Sequence, residues 1–222
     1  MKARDILRPR DEKPLHLLPN RFVMKLNILA IAAHPDDVEL SCSGTLAIHK
    51  QLGKKVGILD LTLGELGSRG DIDTRLAESA AASAILQLDA RENLGFKDGF
   101  FINDEEHQLQ VIRMLRKYQP DIILANAIQD RHPDHGRAAV LVRDACFLSG
   151  LIRIETELDG LQQEPWRPKR VFNYIQDFYL EPDFIIDITP VFEQKMQCIR
   201  AYESQFYSQT QEGPVTYIST SD

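Results

Sequence analysis

Two similar tetrads carry most of the chemistry in this sequence: His34-Pro35-Asp36-Asp37 and His132-Pro133-Asp134-His135. Three of the six histidines fall inside them. Neutral imidazole and carboxylate ligands favour zinc among the common biological metals. Three protein ligands with one open position make a catalytic site, whereas closed four-ligand sites are structural. Two histidines and one carboxylate leave the ion net positive, still a Lewis acid that lowers the pKa of a bound water to ~7. The tetrads offer more groups than a metal needs. Asp36 and Asp37 are adjacent, so their side chains should diverge, one to the metal and one to the water as general base. His132 and His135 are three apart at a helix start. One can ligate while the other, as an imidazolium, faces a substrate carbonyl, stabilises its oxyanion and protonates the leaving amine. Asp134 can orient an imidazole from behind. At this level, which aspartate and which histidine ligate stays open. A lone His-Pro-Asp is commonly a turn, with proline setting φ and aspartate capping a helix. Two of them at two strand-to-helix junctions favour chemistry.

The elements around the tetrads read as alternating strands and helices. Residues 27–33 form a short continuous apolar run, the pattern of a strand buried on both faces of a parallel sheet. A helix over 43–52 closes at Gly53, a strand covers Val56 to Thr62, and a glycine-rich loop follows. Thr74 to Leu88 predicts a helix whose Ala77, Ala80, Ala81 and Ala84 let it lie close against a sheet. A short strand over 90–95 and an amphipathic helix from Asp104 to Tyr118 come next. Ile122 to Ala125 is a further buried strand, and a helix runs from Gly136 to Leu148. Residues 151–168 read as a polar surface excursion, Val171–Ile175 and Phe184–Ile188 as strands, and Val191 to Tyr202 as the last helix. This order predicts one α/β domain, a Rossmann-like, doubly wound, mostly parallel sheet. Both tetrads then lie outside the carboxyl ends of strands, where such sheets bind ligands.

Composition narrows the function. The chain has 222 residues and a formal net charge of −7, with no long Lys/Arg run, which argues against nucleic-acid binding. Cys42, Cys146 and Cys198 are an odd number without CxxC spacing, as expected of a reducing, cytoplasmic compartment, and Cys42 and Cys146 read as buried packing residues. No stretch approaches the ~20 apolar residues that span a bilayer, and the first 22 residues lack the apolar core of a secretory signal. Residues 1–23 read as a flexible N-terminal extension, with Met24 the expected natural start and 24–222 the folded domain.

Several segments together resemble the LmbE-like, PIG-L type deacetylases. The Ala-His-Pro-Asp-Asp-x-Glu signature of that family is matched by Ala33 to Glu39, and its His-Pro-Asp-His by residues 132–135. Thr62-Leu63-Gly64-Glu65, Arg75-Leu76-Ala77-Glu78 and Ser204-Gln205-Phe206 match its further elements, so the resemblance runs from about Met24 to Phe206. It implies zinc on His34, Asp37 and His135, with iron(II) suited to the same ligands, and Asp36 as general base. It also implies His132 at the oxyanion with Asp134 supporting it, Arg75 on substrate hydroxyls, and Glu39 acting from behind the ligands. Within the family the chain is most similar to the bacillithiol-biosynthesis branch, which deacetylates N-acetyl-glucosaminyl malate. That makes Arg131 a candidate for the malate carboxylates, and trimers or hexamers the expected assembly.

Plainer readings stand beside these. Arg75 and Glu78 have the spacing of a surface ion pair. Glu65 suits a solvated loop, His49 and His107 an exposed surface, and Arg131 an ion pair with Asp130 or another loop carboxylate. Two rival functions use the same residues: an amidase acting on thiol S-conjugates, and a non-enzymatic nucleotide- or sugar-binding module holding Mg²⁺. The histidines weigh against the module, because Mg²⁺ prefers oxygen ligands.

Overall fold

The computed structural model describes residues 24–206, 214 and 216. The expected N-terminal extension lies outside the described residues.

Ile28–Ala32 (β1) is fully buried because it runs through the middle of the sheet. Val56–Thr62 (β2) and Ile122–Ala125 (β4) flank it in parallel register, with Ile28 opposite both Val56 and Ile122. Ala90–Phe96 (β3) and Arg170–Asn173 (β7) complete a five-stranded sheet in the order β3-β2-β1-β4-β7, parallel throughout. The order reverses between β1 and β4, and ligand crevices of open α/β sheets form at such a switch point. Each tetrad follows one of these two strands.

Alternation along β1 divides the core. Leu29 and Ile31 point to one face, toward Ile112 and Leu115 of α4 (Glu105–Tyr118) and Leu141 and Val142 of α5 (Pro133–Leu148). Ile28, Ala30 and Ala32 point to the other, toward Leu46 of α2 (Ser43–Gln51), Ala82 and Leu86 of α3 (Ile72–Leu86), and Cys198 of α6 (Phe192–Arg200). A short helix, α1 (Asp37–Ser41), carries the first tetrad into α2.

Asp71 and Asp104 cap α3 and α4 by accepting from Thr74 N–H and His107 N–H, so α3 begins two residues before Thr74. The expected alanine contact of α3 is overturned. Ala77, Ala80, Ala81 and Ala84 face solvent, while Arg75, Glu78, Ser79, Ala82 and Leu86 form the buried stripe. The polar members of that stripe serve buried hydrogen bonds, and the alanines supply helix propensity on the outer face. α5 starts at Pro133, three residues earlier than expected, because His132 is its N-cap and Pro133 occupies the first turn where a missing N–H costs nothing.

The surface excursion contains a small antiparallel hairpin, Glu157–Leu158 (β5) with Leu161–Gln162 (β6). Phe184–Ile188 forms no strand: the sheet ends at β7 and the run finds no ladder partner among the described residues, leaving Phe184 and Ile185 exposed. All three cysteines are free and buried. Among the described residues no helix is long and apolar enough to cross a membrane.

Candidate active site

The switch point brings the two tetrads together. His34 follows β1 by two residues, and His132 and His135 sit on the first turn of α5. The His34 and His135 ring centroids are 5.6 Å apart, and those of His34 and His132 are 4.6 Å apart. One ring nitrogen of each of the three lies within 4.8 Å of the others. Asp37 joins the group: its Oδ1 is 3.1 Å from His135 Nε2, and its Oδ2 is 3.7 Å from His34 Nδ1.

The adjacent aspartates diverge. Asp37 opens α1 and turns to the histidines. Asp36 turns to Arg75, whose Nη2 is 3.2 Å from its Oδ2 and also donates to the Pro35 carbonyl. The backbone makes this possible by placing Asp36 at φ 118°, ψ −26°. That region is unfavourable for a residue with a Cβ, costing of order 1–3 kcal/mol, and is typical of functional positions.

Both flanking histidines have a carboxylate behind them. The Nδ1 of His135 bonds Asp130 Oδ2, while His34 Nε2 faces Asp98 Oδ1 at 3.0 Å and Asp134 Oδ2 at 3.3 Å. Carboxylate-backed imidazoles are how metal sites fix the tautomer that ligates. Two imidazoles and the Asp37 carboxylate, their free edges converging, therefore suit a divalent cation of the zinc or iron(II) type.

Burial alone would lower the His34 pKa, but contacts with Asp134, Asp37 and Asp98 raise it well above the usual value. Burial likewise opposes the rise at His135, which Asp37 and Asp130 cause. Asp37 is held well below the carboxylate range, its desolvation outweighed by His135 and His34. The raised values bias the two imidazoles, not Asp37, toward holding protons, the place a metal takes when it binds. Asp36 is pushed up to about 7 by desolvation, against the attraction of Arg75.

His132 goes the other way. Burial and the charges of His34 and His135 lower its pKa, so the neutral imidazole is favoured there, not the imidazolium expected from its position. Asp134 does not support it through a carboxylate. The Asp134 carboxylate accepts from Gly99 N–H and Arg137, and only its backbone N–H reaches His132 Nδ1. The reason is helical geometry: His132 is the N-cap, and the Asp134 side chain leaves α5 toward the β3 end.

Arg75 is 5% exposed, lines the cavity and is engaged with Asp36 and the Pro35 carbonyl. Its partner is not Glu78, which instead accepts from the Ser204 N–H and hydroxyl. Glu39 is fully buried and bonds Arg91 and Tyr202. Arg131 stands on the cavity wall, half-exposed, 3.3 Å from Asp177. Glu65 is exposed and its carboxylate accepts from Asp98 N–H. His49 and His107 are partly buried, not exposed: His49 bonds the Thr45 carbonyl, and His107 sits edge-on to Phe96.

The cavity over the cluster has a volume of about 610 Å³, within the range of small-molecule sites. Asp98, Asn126 and Gln176 reach the cluster although no sequence motif marks them, and Asp130, expected as a partner for Arg131, bonds His135. The Asp98-Gly99 turn after β3 and Asn126 directly after β4 were the available signals, and both are also ordinary loop residues.

The chain is similar to known proteins over most of its described residues. Residues 29–146 match the family described as PIG-L, GlcNAc-PI de-N-acetylase. The diacetylchitobiose deacetylase of Thermococcus kodakarensis is 29% identical over 191 residues, covering 81% of this chain and 70% of that protein. The 4-oxalmesaconate hydratase of Pseudomonas putida is 25% identical, covering 80% of this chain and 73% of its own. Among solved structures, a conserved protein of Thermus thermophilus is 42% identical with a TM-score of 0.77, covering 82% of this chain and 80% of that one. The family match spans more than half of the sequence and includes both tetrads, and the chain belongs to the PIG-L family.

Proposed function

We propose that the protein is a metal-dependent N-deacetylase that hydrolyses the acetamide of an N-acetyl-glucosamine conjugate. The observation that carries this reading is the convergence of His34, His132 and His135 with Asp37 at the sheet's switch point, with Asp36 beside them. The name of the Thermococcus relative supports an amino-sugar substrate. Zinc is the proposed metal, with iron(II) suited to the same ligands.

Held by His34, Asp37 and His135, a divalent cation would polarise an acyl oxygen and acidify a water. Asp36 accepts the proton of the attacking water, and a carboxyl whose pKa lies near 7 is matched to that task. Arg75 fixes the orientation of Asp36. His132, as a neutral imidazole, donates a hydrogen bond to the developing oxyanion. The carbon–nitrogen bond breaks, the nitrogen gains a proton, and water and amide have become acetate and free amine.

The favoured conjugate is N-acetyl-glucosaminyl malate, the substrate of bacillithiol biosynthesis. Its support is Arg131 on the cavity wall, a guanidinium suited to a carboxylate. The reading includes a cytoplasmic location, in keeping with three free buried cysteines. It also includes a homo-oligomer, supported by the exposed Tyr179, Phe184 and Ile185 beyond β7. A light-scattering mass equal to one chain at working concentration would remove the oligomer from this reading.

The deciding experiment assays released amine and acetate from the malate conjugate, diacetylchitobiose and an acetylated thiol S-conjugate, with metal content measured in parallel. Amine release from the sugar conjugates by metal-loaded protein is expected. Metal-loaded protein that frees no amine from any of them, yet hydrates 4-oxalmesaconate, would overturn the proposal.

A further inference from the structure

Asp37 has two oxygens, and the surroundings treat them unequally. Its Oδ2 accepts from the His34 backbone N–H at 3.0 Å and from Asn126 Nδ2 at 2.9 Å. A carboxylate oxygen has two lone-pair positions, so Oδ2 is saturated. Its Oδ1 accepts from Gln176 Nε2 at 3.1 Å and turns its other side to His135 Nε2, also 3.1 Å away, whereas His34 Nδ1 stands farther off, 3.7 Å from Oδ2.

The amide orientations that enforce this are fully determined. Asn126 is completely buried, and its Oδ1 accepts from Ala33 N–H at 2.9 Å, so Nδ2 has to face Asp37. The second Nδ2 hydrogen goes to Gln176 Oε1 at 3.0 Å. Gln176 Oε1 also accepts from Ala127 N–H, which leaves Nε2 to face Asp37 Oδ1. Asn126 directly follows β4 and Gln176 follows β7, so the sheet itself sets both amides.

We infer that Asn126 is a positioning residue that restricts Asp37 to binding the cation through Oδ1 alone. This rests on the metal reading given above. A second bond from Oδ2 would fill a coordination position. With Oδ2 held by two N–H groups, that position stays free for water or the substrate carbonyl, as a catalytic site requires. Gln176 carries the weaker share, since its loss leaves Oδ2 saturated.

Cobalt(II) substitution tests this, because its visible absorption reports coordination number independently of turnover. The comparison uses wild type, Asn126→Asp and Gln176→Met. Asn126→Asp keeps the acceptor for Ala33 N–H and removes the donor to Oδ2. Its cobalt spectrum is expected to weaken toward that of a higher coordination number. Cobalt affinity, measured by chelator competition, or kcat should change by about 10–100-fold, as when hydrogen-bond partners of ligands are removed. Gln176→Met should keep the wild-type spectrum. Should the aspartate variant not fold, Asn126→Ser removes the same donor and carries the same expectation.

A cobalt-loaded Asn126 variant with the spectrum and affinity of wild type would overturn the inference while leaving the metal reading intact. Wild type that takes up no cobalt or zinc would instead overturn the metal reading, and the inference with it.

Discussion

Arg91 on β3 places Nη1 2.6 Å from Glu39 Oε1, joining the edge of the sheet to the short helix that carries Asp37. The same guanidinium holds Asp60 by two bonds, at 2.8 and 3.0 Å, and meets the Tyr202 hydroxyl. Glu39 and Asp60 are both buried, so Arg91 is the charge that compensates two carboxylates. Removing one member of a buried ion pair costs about 3–5 kcal/mol, because the other charge is stranded. Arg91→Met should therefore lower the melting temperature by roughly 6–20 °C for a domain of this size. Calorimetry showing a change of a degree or less would mean the network contributes little.

The thiols give a second prediction. Burial pushes the Cys146 and Cys198 thiols up to about 12 and Cys42 higher still. The thiolate is the reactive form. A raised pKa leaves almost none of it at pH 8, and reactivity grows only as pH rises toward the folded value. Native protein at pH 8 should resist a thiol-specific reagent, and denatured protein should react at all three positions. Rapid modification of the folded chain at pH 8 would contradict the packing of both faces of the sheet.

The elements easiest to read in the sequence were those whose fate depends on few others. Val56–Thr62 and Ile122–Ala125 were legible to the residue, because a mostly apolar run, interrupted in the first only by Asp60, has few ways to be buried. The α3 alanines misled because composition speaks to helix propensity and not to which face turns inward, which here is set by Arg75, Glu78 and Ser79. Phe184–Ile188 has the composition of a strand, but a strand needs a neighbouring ladder, and the sheet stops at β7. At the candidate site the tetrads were visible because histidine is scarce and the spacing repeats. Asp98 and Asn126 were not, because their partners are 64 and 93 residues away.

Separating the roles of the two tetrads' members yields a third prediction. Asp36 is held by Arg75 and is not one of the proposed ligands, so Asp36→Ala should keep most of the bound metal. Its rate should fall by about 10²–10⁴-fold, the usual contribution of general acid–base catalysis. His135→Ala should lose metal, and a chelator should silence the wild type while circular dichroism stays unchanged. Near-wild-type turnover by Asp36→Ala would refute the assignment of the base.

Arg131 offers a test of the conjugate itself. Its Nε lies 3.3 Å from Asp177 Oδ2, and the pair stands at the wall of the cavity, partly open to solvent. An ion pair this exposed contributes little to stability, ~0–1 kcal/mol, so Arg131→Ala should fold normally. A malate carboxylate that met this guanidinium would lose a charge-assisted hydrogen bond of roughly 1.5–3 kcal/mol, which corresponds to a rise in KM of about 10–150-fold. Diacetylchitobiose carries no carboxylate, so its KM should barely move. Asp177→Asn should act oppositely, removing a carboxylate that competes for Arg131 and lowering KM for the malate conjugate alone. Equal effects on the charged and neutral conjugates would show that Arg131 shapes the wall without reading the aglycone.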